Sequence, residues 1–242
     1  MTAMVECKQE ARYTLITMDD GKANALGFEM LAQLNAALDK AEEAGKVVVI
    51  CGRPGKFSAG FDLSVMGEGG DAMIDLLRCG ANLSRRLLAF PTPVVLAVSG
   101  HALAMGALLL LSADYRVGVH GTYKIGLNEV AIGMTLPYFG IELARARLAS
   151  NHLGPAVNLA RVYDAAGAQE AGYLDEAVSE EDLINLNKQL KEDPEARSAV
   201  EAIQGSLTGQ MVIKYCPIDG ERYASTMTDC PVHHIELLEL TD

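Results

Sequence analysis

Three short stretches of this chain combine residue types that could do chemistry. Phe57-Ser-Ala-Gly-Phe-Asp62 follows an apolar run and a Pro-Gly turn, and its glycine permits close approach of a ligand to main-chain N–H groups. Read alone, the stretch is first of all an ordinary connector. Gly100-His-Ala-Leu-Ala-Met-Gly106 stands between a β-branched run and an apolar helical pattern. A helix start offers unpaired N–H groups and partial positive charge, which suits a carbonyl oxygen or an oxyanion. A plain strand-to-helix turn has the same pattern. In Ile125-Gly-Leu-Asn-Glu-Val-Ala-Ile-Gly-Met134 one acid, Glu129, interrupts an apolar run. A desolvated carboxylate there has a raised pKa and works as a base near neutral pH. A solvent-facing loop glutamate fits the same string.

Other polar residues form no comparable set. His101 is a lone histidine. His233 and His234 are adjacent in sequence, so they are expected to face opposite ways and to make poor joint metal ligands. Ser58 and Ser112 lack a His/Asp partnership, so nothing suggests a serine hydrolase. No Walker or Rossmann fingerprint is present.

The elements that must position these stretches are legible in outline. Tyr13–Met18 alternates like a strand, and Asp19-Asp20-Gly21 turns the chain. Phe28–Ala44 has helical apolar spacing closed by Gly45. Val47–Cys51, Val94–Ser99 and Tyr115–Val119 read as buried strands. Gly67–Gly70 reads as a flexible loop before a helix over Ala72–Ala89, stopped by Pro91 and Pro93. Met105–Ala113, Gly140–Arg147, Pro155–Val162, Glu180–Lys191 and Pro194–Leu207 read as helices. Beyond Gly209 the pattern decays. Strands alternating with helices define an α/β class with parallel pairing and right-handed crossovers.

The chain has 242 residues, half of them apolar, enough for a core without staples. Its 32 acids against 20 bases give a net charge of -12, with no basic block. That counts against nucleic acid and against an anionic membrane surface. The 5 cysteines are scattered, with no CxxC pair, as expected of a reduced, intracellular and cytoplasmic protein without a metal site. The start does not read as a signal peptide, and no apolar run is long enough to cross a bilayer.

In this order and spacing the three stretches, with Lys22-Ala-Asn-Ala-Leu26 before them and Ala113-Asp-Tyr-Arg116 after, resemble the crotonase (enoyl-CoA hydratase/isomerase) superfamily. The resemblance runs from about Tyr13 to Ser179. It implies a spiral of β-β-α repeats with a helical C-terminal part. It places an acyl-CoA-binding core over residues 1–192 and an oligomerisation segment with an atypical tail over 193–242. It further implies a homotrimer or hexamer and an acyl-CoA thioester as substrate, with no separate cofactor.

By position, the resemblance places an oxyanion hole at the backbone N–H groups of Ala59 and Met105. Ser58, Gly60, Phe61, Asp62, Gly106, Leu108 and Asn128 would line the substrate site. Lys22, Arg53 and Lys56 are the candidate contacts for CoA phosphates. The family usually has glycine where this chain has Met105, a change that would reshape the acyl pocket. Hydratases of the family use two glutamates. Here those positions carry Leu108 and Glu129, the pattern of the Δ3,Δ2-enoyl-CoA isomerases, in which one carboxylate moves a proton from C2 to C4. The alternatives are a hydratase or other acyl-CoA lyase, and a non-catalytic acyl-CoA binder. Pocket depth is expected to depend on the loop around Gly67–Gly70 and on Tyr138 and Phe139.

Overall fold

The computed structural model describes residues 3–9 and 13–178, together with the backbone of 213–215, 222–224 and 238–239. In chain order the elements are β1 (Val5–Gln9), β2 (Tyr13–Met18), β3 (Ala25–Leu26), α1 (Phe28–Ala44), β4 (Val47–Cys51), β5 (Gly55–Ser58) and β6 (Gly60–Phe61). Then come α2 (Leu63–Glu68), α3 (Gly70–Leu88), β7 (Val94–Val98), β8 (Gly100–Leu103), α4 (Met105–Leu110), β9 (Tyr115–Val119) and β10 (Ile125–Gly126). A 3-10 turn at Val130–Ile132 precedes α5 (Tyr138–Arg147), α6 (Ser150–Asn158), α7 (Ala165–Ala171) and β11 (Glu176–Val178). Three further strands, β12 (Ile213–Tyr215), β13 (Arg222–Ala224) and β14 (Leu238–Glu239), pair antiparallel with one another.

The main sheet has six strands in the order β1-β2-β4-β7-β9-β11. Only its first pair is antiparallel; the others are parallel, as the strand-helix alternation requires. Side chains alternate between its faces. Ile16, Met18, Val48, Ile50, Val94, Leu96 and Val98 enter the core built with α1, α3 and α4. Tyr13, Leu15, Val47, Val49, Val95, Ala97 and Val117 form a second apolar cluster on the other face. Helix α1 buries Met30, Leu31, Leu34, Ala37, Leu38 and Ala41, and ends in the left-handed Gly45, whose N–H donates to the carbonyls of Ala41 and Glu42.

A second, three-stranded sheet runs β10-β8-β5, all parallel. Its register pairs Ser58 with Ala102, and Ile125 and Gly126 with Ala102 and Leu103. Parallel strands in register end at the same edge. The three stretches singled out above follow β5, β8 and β10, so this small sheet delivers all of them to one place.

Several expectations are corrected. Gly67–Gly70 is no open loop: α2 runs through Gly67 to Glu68, and Gly69, at φ 67°, turns directly into α3. Asp62 starts α2 by accepting from the Ser64 N–H. The edge strand β1, helix α7 and strand β11 were not anticipated. Helices expected over 180–191 and 194–207, and the histidines at 233 and 234, fall outside the described residues.

Candidate active site

The three strand ends open onto a cleft of about 390 Å3. Ala59 and Phe61 line it from the first stretch, Ala104 from the second, and Asn128, Glu129, Ile132, Gly133 and Met134 from the third. Leu63 and Met66 of α2 and Met73 and Leu77 of α3 close the opposite wall.

Glu129 is only 6% exposed, and its Oε2 is buried without a hydrogen-bond partner. Its backbone is fixed: the Glu129 carbonyl accepts from the N–H groups of Ile132 (3.1 Å) and Met134 (2.9 Å). Gly133, at φ 75°, closes that turn. Burial pushes the Glu129 pKa up to about 7, against a smaller lowering from its own backbone N–H. The apolar run around this acid thus hides it rather than presenting it to water. The neighbouring Asn128 Oδ1 is also buried and unpartnered at the cleft.

The second stretch turns sharply. Ala104 has φ 49° and ψ -123°, a costly conformation for a residue with a Cβ. Its N–H donates to the Gly126 carbonyl (3.1 Å), tying the second stretch to the third. The turn leaves the Met105 N–H in the first turn of α4, where no intrahelical acceptor exists. The Met105 side chain does not reach the cleft. It is fully buried, and its Cε would lie 3.2 Å from a methyl placed on Gly80 of α3. The expected reshaping of the pocket by Met105 is therefore overturned.

The first stretch corrects another expectation. The Ala59 N–H already donates to the Ala23 carbonyl at 3.0 Å. The next residues run parallel to β3, with Gly60 beside Ala25 and Phe61 beside Leu26. The Asp62 N–H turns toward β3, donating to the Leu26 carbonyl (3.3 Å). Alternation along the strand sends the Phe61 N–H to the opposite side. Gly60, at φ 95°, brings the two loops together: a methyl there would sit 3.1 Å from Met105 N and 2.9 Å from the Leu103 carbonyl oxygen. The backbone donor facing away from β3 is thus that of Phe61, two residues beyond the expected one.

Other expected contact residues brace the loops instead. Ser58 is fully buried; its Oγ donates to the Asn24 carbonyl (2.7 Å) and accepts from the Gly60 N–H (3.2 Å). Gly106 packs on Ser58, where a methyl would meet the Ser58 Cβ at 2.9 Å. Asp62 caps α2. Leu108 is fully buried and points at Gly140 of α5, where a methyl would lie 3.0 Å from its Cδ1. Neither Tyr138 nor Phe139 lines the cleft, and Tyr138 is largely exposed. Ser112 Oγ donates to the Leu108 carbonyl inside the core.

None of the three cationic candidates lines the cleft. Lys22 is exposed on a turn organised by the Asp20 carboxylate. Lys56 lies beside His101 in the small sheet. Arg53 faces a separate cavity of about 260 Å3 with Thr17, Asp19, Cys51 and Ser99, its Nη1 3.8 Å from Asp19 Oδ1. His101 Nδ1 accepts from the Lys124 N–H (3.0 Å), and burial, with the Lys56 and Lys124 charges, lowers its pKa. It is a neutral acceptor away from the cleft.

Over residues 8–211 the chain matches the enoyl-CoA hydratase/isomerase family, and it belongs to that family. Rat mitochondrial enoyl-CoA delta isomerase 1 is 28% identical over 185 residues, which span 74% of this chain and 64% of the rat protein. An enoyl-CoA hydratase/isomerase family protein from Pseudomonas syringae is 39% identical, with a TM-score of 0.73 over 85% of this chain and 96% of that one. A Mycobacterium tuberculosis protein is 37% identical, with a TM-score of 0.72 over 86% of this chain; one structure names it a probable enoyl-CoA hydratase and another, matched over 98% of its length, an enoyl-CoA isomerase. Among the described residues no helix is long and apolar enough to cross a membrane.

Proposed function

We propose that the chain converts 3-enoyl-CoA to 2-enoyl-CoA with Glu129 as its one acid/base. The observation that carries this reading is the solitary, desolvated carboxylate: among the described residues, Glu129 is the one acid lining the cleft. The thioester oxygen lies between the N–H groups of Phe61 and Met105. Glu129 takes a proton from C2, and the electron pair moves through the C3–C4 double bond system as a dienolate whose charge rests on that oxygen. Fixed donors stabilise this developing charge differentially. The protonated Glu129 then delivers its proton to C4, leaving the double bond at C2–C3 and the carboxylate regenerated. No water or redox partner enters the balance.

A pKa of about 7 suits both halves of the shuttle, because the group is neither too weak a base nor too weak an acid. Isomerisation is favoured over hydration because, among the described residues, no second acid lines the cleft to activate water. A non-catalytic binder loses its main support with the Met105 side chain turned away from the cleft. The test is incubation with a 3-enoyl-CoA and separation of 2-enoyl from 3-hydroxyacyl products. A 2-enoyl product that disappears in Glu129→Gln is the expected result. Accumulation of 3-hydroxyacyl-CoA, or full activity in Glu129→Gln, would overturn it.

A further inference from the structure

We infer that Asn24 is the positioning residue of the first donor loop: its side chain locks a bulge in β5 and so aims the Phe61 N–H at the thioester oxygen. This rests on the proposed hold of that oxygen by Phe61 and Met105. Asn24 does not line the cleft. It is fully buried and stands at φ 52°, in the left-handed region that asparagine tolerates better than most side chains. Both polar atoms of its side chain are engaged. Nδ2 donates to the carbonyls of Met18 (2.9 Å) and Phe57 (3.1 Å), with the Lys56 carbonyl sharing at 3.3 Å. Oδ1 accepts from the Asp20 N–H (3.0 Å), and the Asn24 N–H donates back to Asp20 Oδ1 (2.9 Å).

The grip falls where β5 is irregular. Lys56 pairs with His101, and Ser58 pairs with the next residue, Ala102, so Phe57 is one residue too many for the ladder with β8. A bulge leaves its extra residue outside the pairing and re-aims the strand beyond it. Here the carbonyl of that extra residue meets Asn24 Nδ2. Two more bonds carry the constraint forward. The Asn24 carbonyl accepts from Ser58 Oγ (2.7 Å), which accepts in turn from the Gly60 N–H (3.2 Å). Asn24 also leads directly into β3, against which Gly60 and Phe61 are paired. One residue therefore sets the phase of the loop at both of its strands. N–H directions alternate along a strand, so a slip of one residue would turn the Phe61 N–H back toward β3.

The experiment is difference infrared spectroscopy of the full chain with hexanoyl-CoA carrying carbon-13 at the thioester carbonyl. This saturated ligand binds without reacting, and its carbonyl stretch falls in frequency when donors hold the oxygen. In the parent the band is expected below that of the free ligand. Asn24→Asp keeps the size, the tolerated φ and an acceptor for Asp20, but sets an oxygen against three carbonyls. It should lose more than about half of the shift and lower kcat about 10- to 100-fold, with the Kd of hexanoyl-CoA within about threefold of normal. Ser58→Ala, which breaks only the link to Gly60, is the second variant should the first fail to fold, with a smaller loss in the same direction. Leu38→Ala, which loosens the core beneath α1, should leave the shift and kcat within about twofold, and so separates positioning from lost stability. A shift retained in a folded Asn24→Asp or Ser58→Ala, or lost equally in Leu38→Ala, would overturn the inference alone. A parent band at the free-ligand frequency, or no binding at all, would overturn the proposed hold of the thioester oxygen and the inference with it.

Discussion

Gly80 of α3 is the seat of the Phe61 ring: a methyl on Gly80 would stand 2.6 Å from Phe61 Cε1 and 3.2 Å from Met105 Cε. Glycine costs a helix interior about 1 kcal/mol relative to alanine. Here it makes room for the side chains of both residues whose N–H groups are proposed to hold the thioester oxygen.

Gly80→Ala should therefore lower kcat by about 10- to 100-fold while KM changes little, because the donors move relative to each other. Adding Phe61→Leu, which shortens the side chain and keeps the N–H, should restore part of the loss. Steady-state kinetics of the single and double variants check this. A KM rise with unchanged kcat would place Gly80 in substrate packing instead.

Glu129→Gln should abolish turnover and leave acyl-CoA affinity within a few-fold of normal. It should also change stability in a pH-dependent way. Folding raises the Glu129 pKa from 4.5 to about 7, so the folded state holds the proton more tightly than the unfolded chain. The cost of burying the charge is absent below pH 4.5 and grows as pH rises through 7, reaching about 3 kcal/mol. The variant should melt with the parent at pH 4 and above it at pH 8. Thermal melts at the two values decide this.

The rate should follow the same ionisation. kcat/KM is expected to rise with pH and level off above about 7, reporting the free carboxylate as the acting base. A profile flat between pH 5 and 9 would remove Glu129 from that role.

Leu108→Glu restores the second acid by residue count but not by place. The side chain packs in the core against Gly140, away from the cleft lining. The variant should lose several kcal/mol of stability and gain no hydratase activity. Urea denaturation together with product analysis tests both halves. Measurable 3-hydroxyacyl-CoA would mean that this position does reach the substrate.

What the sequence made legible follows from what local pattern encodes. The runs at 47–51 and 94–98 are apolar on both faces, so they read as buried strands without a partner in view. Glu129 stood out because an acid inside an apolar run is unusual. The donor proposed at the Phe61 N–H is not legible in sequence, because its direction depends on the strand register and on the φ of Gly60, which spacing does not carry. Helix α2 was missed because three glycines in Gly67–Gly70 outweighed Asp62, a sound helix cap. Gly80 was invisible because helical periodicity says which face is buried and not what is packed against it. The braces Ser58 and Gly106 were read as substrate contacts because residues beside a site and residues under it look alike in sequence.

The small sheet β10-β8-β5 separates two kinds of inheritance. Its strand ends supply the proposed reacting groups, whereas α2 and α3, inserted between β6 and β7, supply the opposite wall. Changes at the cleft-lining residues of those helices, Leu63, Met66, Met73 and Leu77, can retune which chain is accepted while Gly80 keeps its place beside Phe61 and Met105. Conversely, one exchange at a strand end can alter the reaction while the acceptance of acyl chains persists. A lineage built on this frame can therefore diversify its diet and its chemistry on separate schedules.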